Sequence, residues 1–233
     1  MPRTLILLAL LALTATVHAA EDTTYNRVDF NTEATRRVAN DLLQAQLSVE
    51  VNDRSPARVA QLLNTAINEA LKKAAAFPAV QGASTSYTTY PVYGKNNRLE
   101  GWRGNAGIHL ESRDFKAAGE LIGELQGSLQ LAGVNFSIAP ATRRQTEDEL
   151  VNEGLAAFRK RAEAIRTALG GSGYRIVQVN ISHGGFQPQP LQMGRAMLAM
   201  AEAAPPPEFA GGDSDLTLQV SGTIEVIFHP ATN

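Results

Sequence analysis

Between Leu216 and Phe228, near the C-terminus, the residues Leu216, Leu218, Val220, Gly222, Ile224, Val226 and Phe228 occupy every second position, mostly with polar residues between them. A period of two belongs to a strand with one face in a core, and at about 3.3 Å per residue this one runs along a whole sheet. A chain carrying such a strand must build a sheet and cover one face of it. A second run has the same period: Leu43, Ala45, Leu47, Val49 and Val51 alternate with Gln44, Gln46, Ser48 and Glu50. Tyr25, Val28 and Phe30 mark an opening strand expected to pair with that second run.

Helical spacing fills the stretches between the strands. Ser55 precedes Pro56, which suits the first helical position because its missing N–H costs nothing there, and Val59, Leu62, Leu63, Ala66, Ile67, Ala70, Leu71 and Ala74 follow. The spacing predicts a helix over Pro56 to Phe77, closed by Pro78. "AVQGASTSYTTYPVY" and "RLEGWRGNAGIHLE" read as a hairpin around Gly94 to Asn97, with Gly101, Gly104 and Gly107 marking a bulge or a close approach. Asp114 is placed to cap a helix carrying Phe115, Ala118, Leu121, Ile122, Leu125 and Leu129, ended by Gly133, before a short strand "VNFSIA". The order strand, helix, strand, strand, helix, strand is that of a ferredoxin-like split βαβ unit.

Thr146 and Glu149 have the spacing of a capping box, and Val151, Leu155, Phe158, Ala162, Ile165 and Leu169 recur behind them, so a long helix is expected, with Arg159 and Glu163 one turn apart on its surface. "GGSG" at Gly170 to Gly173 stands at the carbonyl end of that helix. A phosphate loop needs strand, loop, helix, so this glycine run is a C-cap. "YRIVQVNIS" is a strand. His183 to Asp215 then reads as an irregular, proline-containing stretch with one short helix over Gln192 to Ala204. The expected fold class is α+β: an antiparallel or mixed sheet with helices packed on it, a βαββαβ-like core, then a long helix and two further strands.

The N-terminus "MPRTLILLALLALTATVHAA" has one arginine, an apolar run and a small-residue exit, the layout of a secretory signal peptide over residues 1–19, leaving one domain over 20–233. Export to the periplasm is expected. The chain has no cysteine, which excludes thiolate zinc sites, thiol nucleophiles and disulfides. Its formal charge of -2 argues against nucleic acid as a partner.

Few residues suggest chemistry. His109, His183 and His229 lack ligand spacing, so no metal or cofactor is expected. Glu147, Asp148 and Glu149 read as first-turn acids stabilised by the helix end rather than as a catalytic pair. No serine elbow is present, and no catalytic residue is assigned. Gly119, Gly123 and Gly127 recur every four residues along the second helix. They point either to close approach of another helix, with Val220 and Ile224 of the last strand as further candidate subunit contacts, or to a tight fit against the helix's own sheet. Trp102, Met193 and Met197 are the candidate ligand contacts.

Taken together, "LLQAQLSVEV" with the Val59 to Leu71 helix, "EDELVNEGLAAFRKRAEAIRTALG" followed by "YRIVQVNIS", and "GRAMLAMAEAAPPPEFAGGDSDLTLQVSGTIEVIF" resemble the SIMPL domain family, also called DUF541. The resemblance covers nearly all of the chain after the leader. It implies a periplasmic or outer-membrane-associated bacterial protein, linked to oxidative stress defence or surface immunogens, with some members similar to ring-like or channel-like oligomers. It supplies no catalytic residues. The expected function is therefore a non-enzymatic, self-assembling envelope protein tied to stress tolerance. The alternative is a periplasmic module binding a small molecule or peptide through Trp102 and the His183 to Asp215 stretch, and a hydrolase is the remaining one.

Overall fold

The computed structural model describes residues 25–184 and 209–229. Among the described residues seven strands and three α-helices follow the expected order, the short helix expected over Gln192 to Ala204 lying outside them, but the strands divide into two antiparallel sheets rather than one sheet under three helices. β2 (Leu42–Asp53), α1 (Pro56–Ala74), β3 (Val80–Tyr93), β4 (Leu99–Ser112), α2 (Phe115–Leu125) and β5 (Gln130–Ser137) form a contiguous βαββαβ unit. Its sheet runs β3-β4-β2-β5, with the two middle strands of the unit's chain order, β3 and β4, joined as a hairpin. That is the split βαβ arrangement. Leu43, Ala45 and Leu47 of β2 and Ile108 and Leu110 of β4 turn one face inward, against Leu121, Ile122 and Leu125 of α2 and Ala70 and Ala74 of α1.

The second sheet runs β1-β7-β6, from β1 (Arg27–Ala39), β7 (Asp213–Ile227) and β6 (Gly173–His183). β1 therefore pairs not with β2, as its position in the chain suggested, but with β7 along its whole length, Arg27 opposite Glu225 through Ala39 opposite Asp213. α3 (Pro140–Ala168) covers this sheet. Its inward stripe is Thr146, Leu150, Gly154, Phe158 and Ala162, one residue every four. Gly154 sets the depth: a Cβ there would lie 2.7 Å from Leu218 Cδ2 and 2.8 Å from Val220 Cγ2, so the helix backbone rests almost on β7. Phe158 stacks on Phe30 of β1 with ring centroids 4.5 Å apart, and its ring occupies the space a side chain at Gly222 would need.

α3 begins at Pro140, more than a turn before the expected capping box. Thr146 lies inside the helix, its Oγ1 donating to the Thr142 carbonyl, and Glu147, Asp148 and Glu149 are helix-interior residues rather than first-turn acids. The cap comes from far away in sequence. The Asp41 carboxylate, in the short link between β1 and β2, accepts from the Ala139 amide at 2.6 Å and from Thr142 Oγ1 at 2.6 Å. The remaining boundaries also shift. α1 stops at Ala74, α2 stops at Leu125, and Gly133 lies inside β5 beside its bulge rather than at a helix end. Glu163 pairs with Arg166, not Arg159. Gly170 adopts φ +73 after the last turn of α3, the left-handed position a glycine C-cap takes. Among the described residues no helix is long and apolar enough to cross a membrane.

Candidate functional site

The two sheets meet at Asn40 and Asp41, where several long-range polar contacts gather. The Asn40 amide group donates to the Gly211 carbonyl at 2.9 Å, and its carbonyl oxygen accepts from Ser214 Oγ at 2.7 Å. Arg113, between β4 and α2, places its guanidinium 2.6 Å from the Asp41 carboxylate. Burial pushes the Asp41 carboxyl upward, but the bonds from Thr142 and Ala139 and the charge of Arg113 outweigh it and hold it below its ordinary value. Phe209 reaches the same junction, 5.9 Å from Phe136, which is itself 5.4 Å from Phe115. Gly211 is required there because a Cβ would come within 2.6 Å of the Asn40 carbonyl oxygen.

Beside this junction lies an open groove of about 810 Å³ between the uncovered face of the βαββαβ sheet and the start of α3. Leu42, Ala79 and Pro140 give it apolar walls; Glu111 and Arg144 are among its charged members. The Glu111 carboxylate accepts from Gln44 Nε2 at 2.7 Å and lies 3.1 Å from His109 Nε2. Gln44 first, then His109, hold its pKa below the ordinary carboxylate value. His109 and Glu111 thus form an acid–base pair of a kind hydrolases use, on a sheet face with no serine bonded to it among the described residues.

Trp102 sits on β4 at the base of the hairpin, packed against the cluster of Val59, Leu63 and Ile67, with one edge on a cavity of about 330 Å³ shared with Val92 and Arg103. Met193 and Met197 lie outside the described residues. The glycine stripe does not form one helix face. Gly119 is buried in α2, Gly123 is exposed with open space where a Cβ would be, and Gly127 lies beyond the helix end. Val220 and Ile224 are 0% exposed beneath α3, inside the protomer's own core. His183 ends β6 and His229 follows β7, so the histidines are dispersed, and among the described residues no cluster of three metal-ligating side chains exists. Glu149 and Glu153 both grip Arg36 of β1, docking α3 on its sheet.

A surface that sequence spacing did not single out lies along β6. Tyr174, Ile176, Val179 and Ile181 face the same side as Gly222 and the buried Val226, Ile224 and Val220 opposite them. α3 lies over β1 and β7 and leaves the β6 edge overhanging, so Ile176 and Ile181 remain 44% and 37% exposed. Leu169, just after α3, is 50% exposed. A bulge between Ile176 and Gln178 places Val177, 41% exposed, out of register. The only advance signal was the alternation of "YRIVQVNIS" itself, which cannot say how far a helix reaches across a sheet.

The family model of SIMPL, described as a protein of unknown function (DUF541), matches residues 28–224. No curated protein matches the chain.

Proposed function

The chain belongs to the SIMPL family, and we propose that it is a non-enzymatic exported protein of the cell envelope that works by associating with copies of itself. The observation that carries this reading is the overhanging β6 face. Isolated exposed aliphatics are ordinary, whereas Ile176 and Ile181 continue a buried core past the edge of its helix. Burying that overhang needs another surface. The bulge at Val177 in the β6–β7 ladder bends this edge strand and interrupts the regular row of backbone groups it would offer to another strand, so the contact proposed is side chain against side chain rather than extension of the sheet. Stress tolerance, the setting implied by the family resemblance, is the proposed physiological context.

Light scattering after size exclusion, in buffer and in mild detergent, tests this reading. The wild type should run as a defined assembly, and Ile176→Lys with Ile181→Lys should run as a monomer with an unchanged circular dichroism spectrum. A wild-type monomer at every concentration would refute it. That outcome would favour a second reading, a binding module, which is supported by the groove of about 810 Å³ and its apolar walls.

A further inference from the structure

β4 keeps β2 as a neighbour only as far as Trp102, opposite Asp53, whereas β3 and β4 continue pairing to Tyr93 opposite Leu99. A 3₁₀ turn, Lys95–Asn97, closes the hairpin, with Gly94 N–H donating to the Arg98 carbonyl. The end of the hairpin therefore projects beyond the sheet. Its exposed surface is unusual in composition: Tyr93 is 55% exposed, Leu99 54% and Tyr90 45%.

Three cations surround this tip. Lys95 and Arg98 on the turn and Arg54 just after β2 line one concavity of about 870 Å³. None of the three makes an ion pair among the described residues, which is also true of other surface cations such as Arg58, Lys116 and Arg159; what sets these three apart is that they line one hollow. Glu100 is the one carboxylate in the lining, which leaves the tip positive in a chain of net charge -2. Like charges held around one hollow repel each other and are relieved by an anion.

A protruding tyrosine and leucine flanked by basic side chains is the composition that settles at a bilayer interface, the rings at headgroup depth and the cations on phosphates. We propose that the end of the β3–β4 hairpin docks on an anionic lipid surface. Arg54, Lys95 and Arg98 meet the headgroups, and Tyr93 and Leu99 enter the interfacial layer. Trp102, the lone tryptophan of the chain, stands at the base of the same hairpin and reports the event. The proposal does not depend on β6-mediated association, which the β6 variants test separately.

The experiment is flotation of the full mature chain with phosphatidylglycerol–phosphatidylcholine vesicles and with phosphatidylcholine vesicles alone, alongside Trp102 fluorescence. The wild type should float with the anionic vesicles, shift Trp102 emission to the blue and lose binding as salt rises. Lys95→Gln with Arg98→Gln should weaken binding roughly twenty-five-fold, at about a factor of five for each cation near an anionic surface. Tyr93→Ser with Leu99→Ser should weaken binding to the same vesicles and abolish the blue shift. Both pairs lie on the exposed tip, and unchanged circular dichroism and an unchanged native mass are expected. Flotation with neither vesicle type, equal flotation with both, or unchanged flotation of the variants overturns the proposal. So does a fall in native mass as the variants' only effect, which would assign the hairpin to a second copy of the chain.

Discussion

Asp41→Ala should loosen one half of the protein from the other. The wild-type carboxylate accepts two 2.6 Å hydrogen bonds at the start of α3 and sits 2.6 Å from Arg113. A lost helix cap costs about 1 kcal/mol, and a hydrogen bond to a charged acceptor contributes about 1.5–3 kcal/mol. The Arg113 pair, with its guanidinium 63% exposed, adds less than about 1 kcal/mol. These contributions overlap, so the expected loss is about 2–4 kcal/mol at neutral pH. In urea, with a slope of about 2 kcal/mol per molar, the midpoint should fall by roughly 1–2 M. Circular dichroism follows both sheets and α3, while Trp102 fluorescence follows the βαββαβ half. In the variant the circular dichroism midpoint should fall further than the fluorescence midpoint. The pH dependence has a definite sign. Because the folded-state pKa of Asp41 lies below its ordinary value, its stabilisation is complete above the unfolded pKa, near 3.9, and disappears as pH falls through the folded value. The gap between wild type and variant should hold from neutral pH to about pH 4 and narrow below that. An Asp41→Ala midpoint within about 0.2 M of wild type at neutral pH, or a gap that stays constant into strong acid, would refute this account of the junction.

Two substitutions test how α3 sits on its sheet. Gly154→Val should cost about 1–3 kcal/mol in thermal or urea unfolding, since the position already has 2.7 Å to Leu218 Cδ2 with only a Cβ added. Phe158→Ala, at a fully buried ring stacked on Phe30, should cost about 3–5 kcal/mol by the same measurement.

What could be read in advance was whatever depended on neighbours in the chain. The alternation in β2 and β7, the Asp114 cap accepting from Ala117 N–H at 3.0 Å, and the Gly170 terminus of α3 all follow from residues close in sequence. The order of elements in the βαββαβ half followed from them as well. The start of α3 escaped because its cap is Asp41, 98 residues before the Ala139 amide it accepts from. Thr146 mimicked a cap by composition alone, and its hydroxyl is satisfied inside the helix instead. Adjacency in the chain favours β2 as the partner of β1, whereas Val28, Phe30 and Ala34 pack against the core under α3 and hold β1 to β7. The candidate surfaces were harder still. Arg54 lies far from Lys95 and Arg98 in sequence, and their shared hollow exists only once β4 has paired with both β2 and β3.

The placement of β7 has a consequence for when the protein can form. The βαββαβ half is contiguous and has all its strands as soon as β5 is available. The other sheet has the last strand of the described chain at its centre, with β1 and β6 on either side and no pairing between those two. Until β7 arrives, β1 has no partner, and the stripe of α3 has no complete surface to close on. Contacts between β1 and β7 span nearly the whole chain, the kind of closure that slows folding most. A nascent chain therefore carries a finished βαββαβ half and an open second sheet until β7 emerges, and that interval is when a holding chaperone has most to protect.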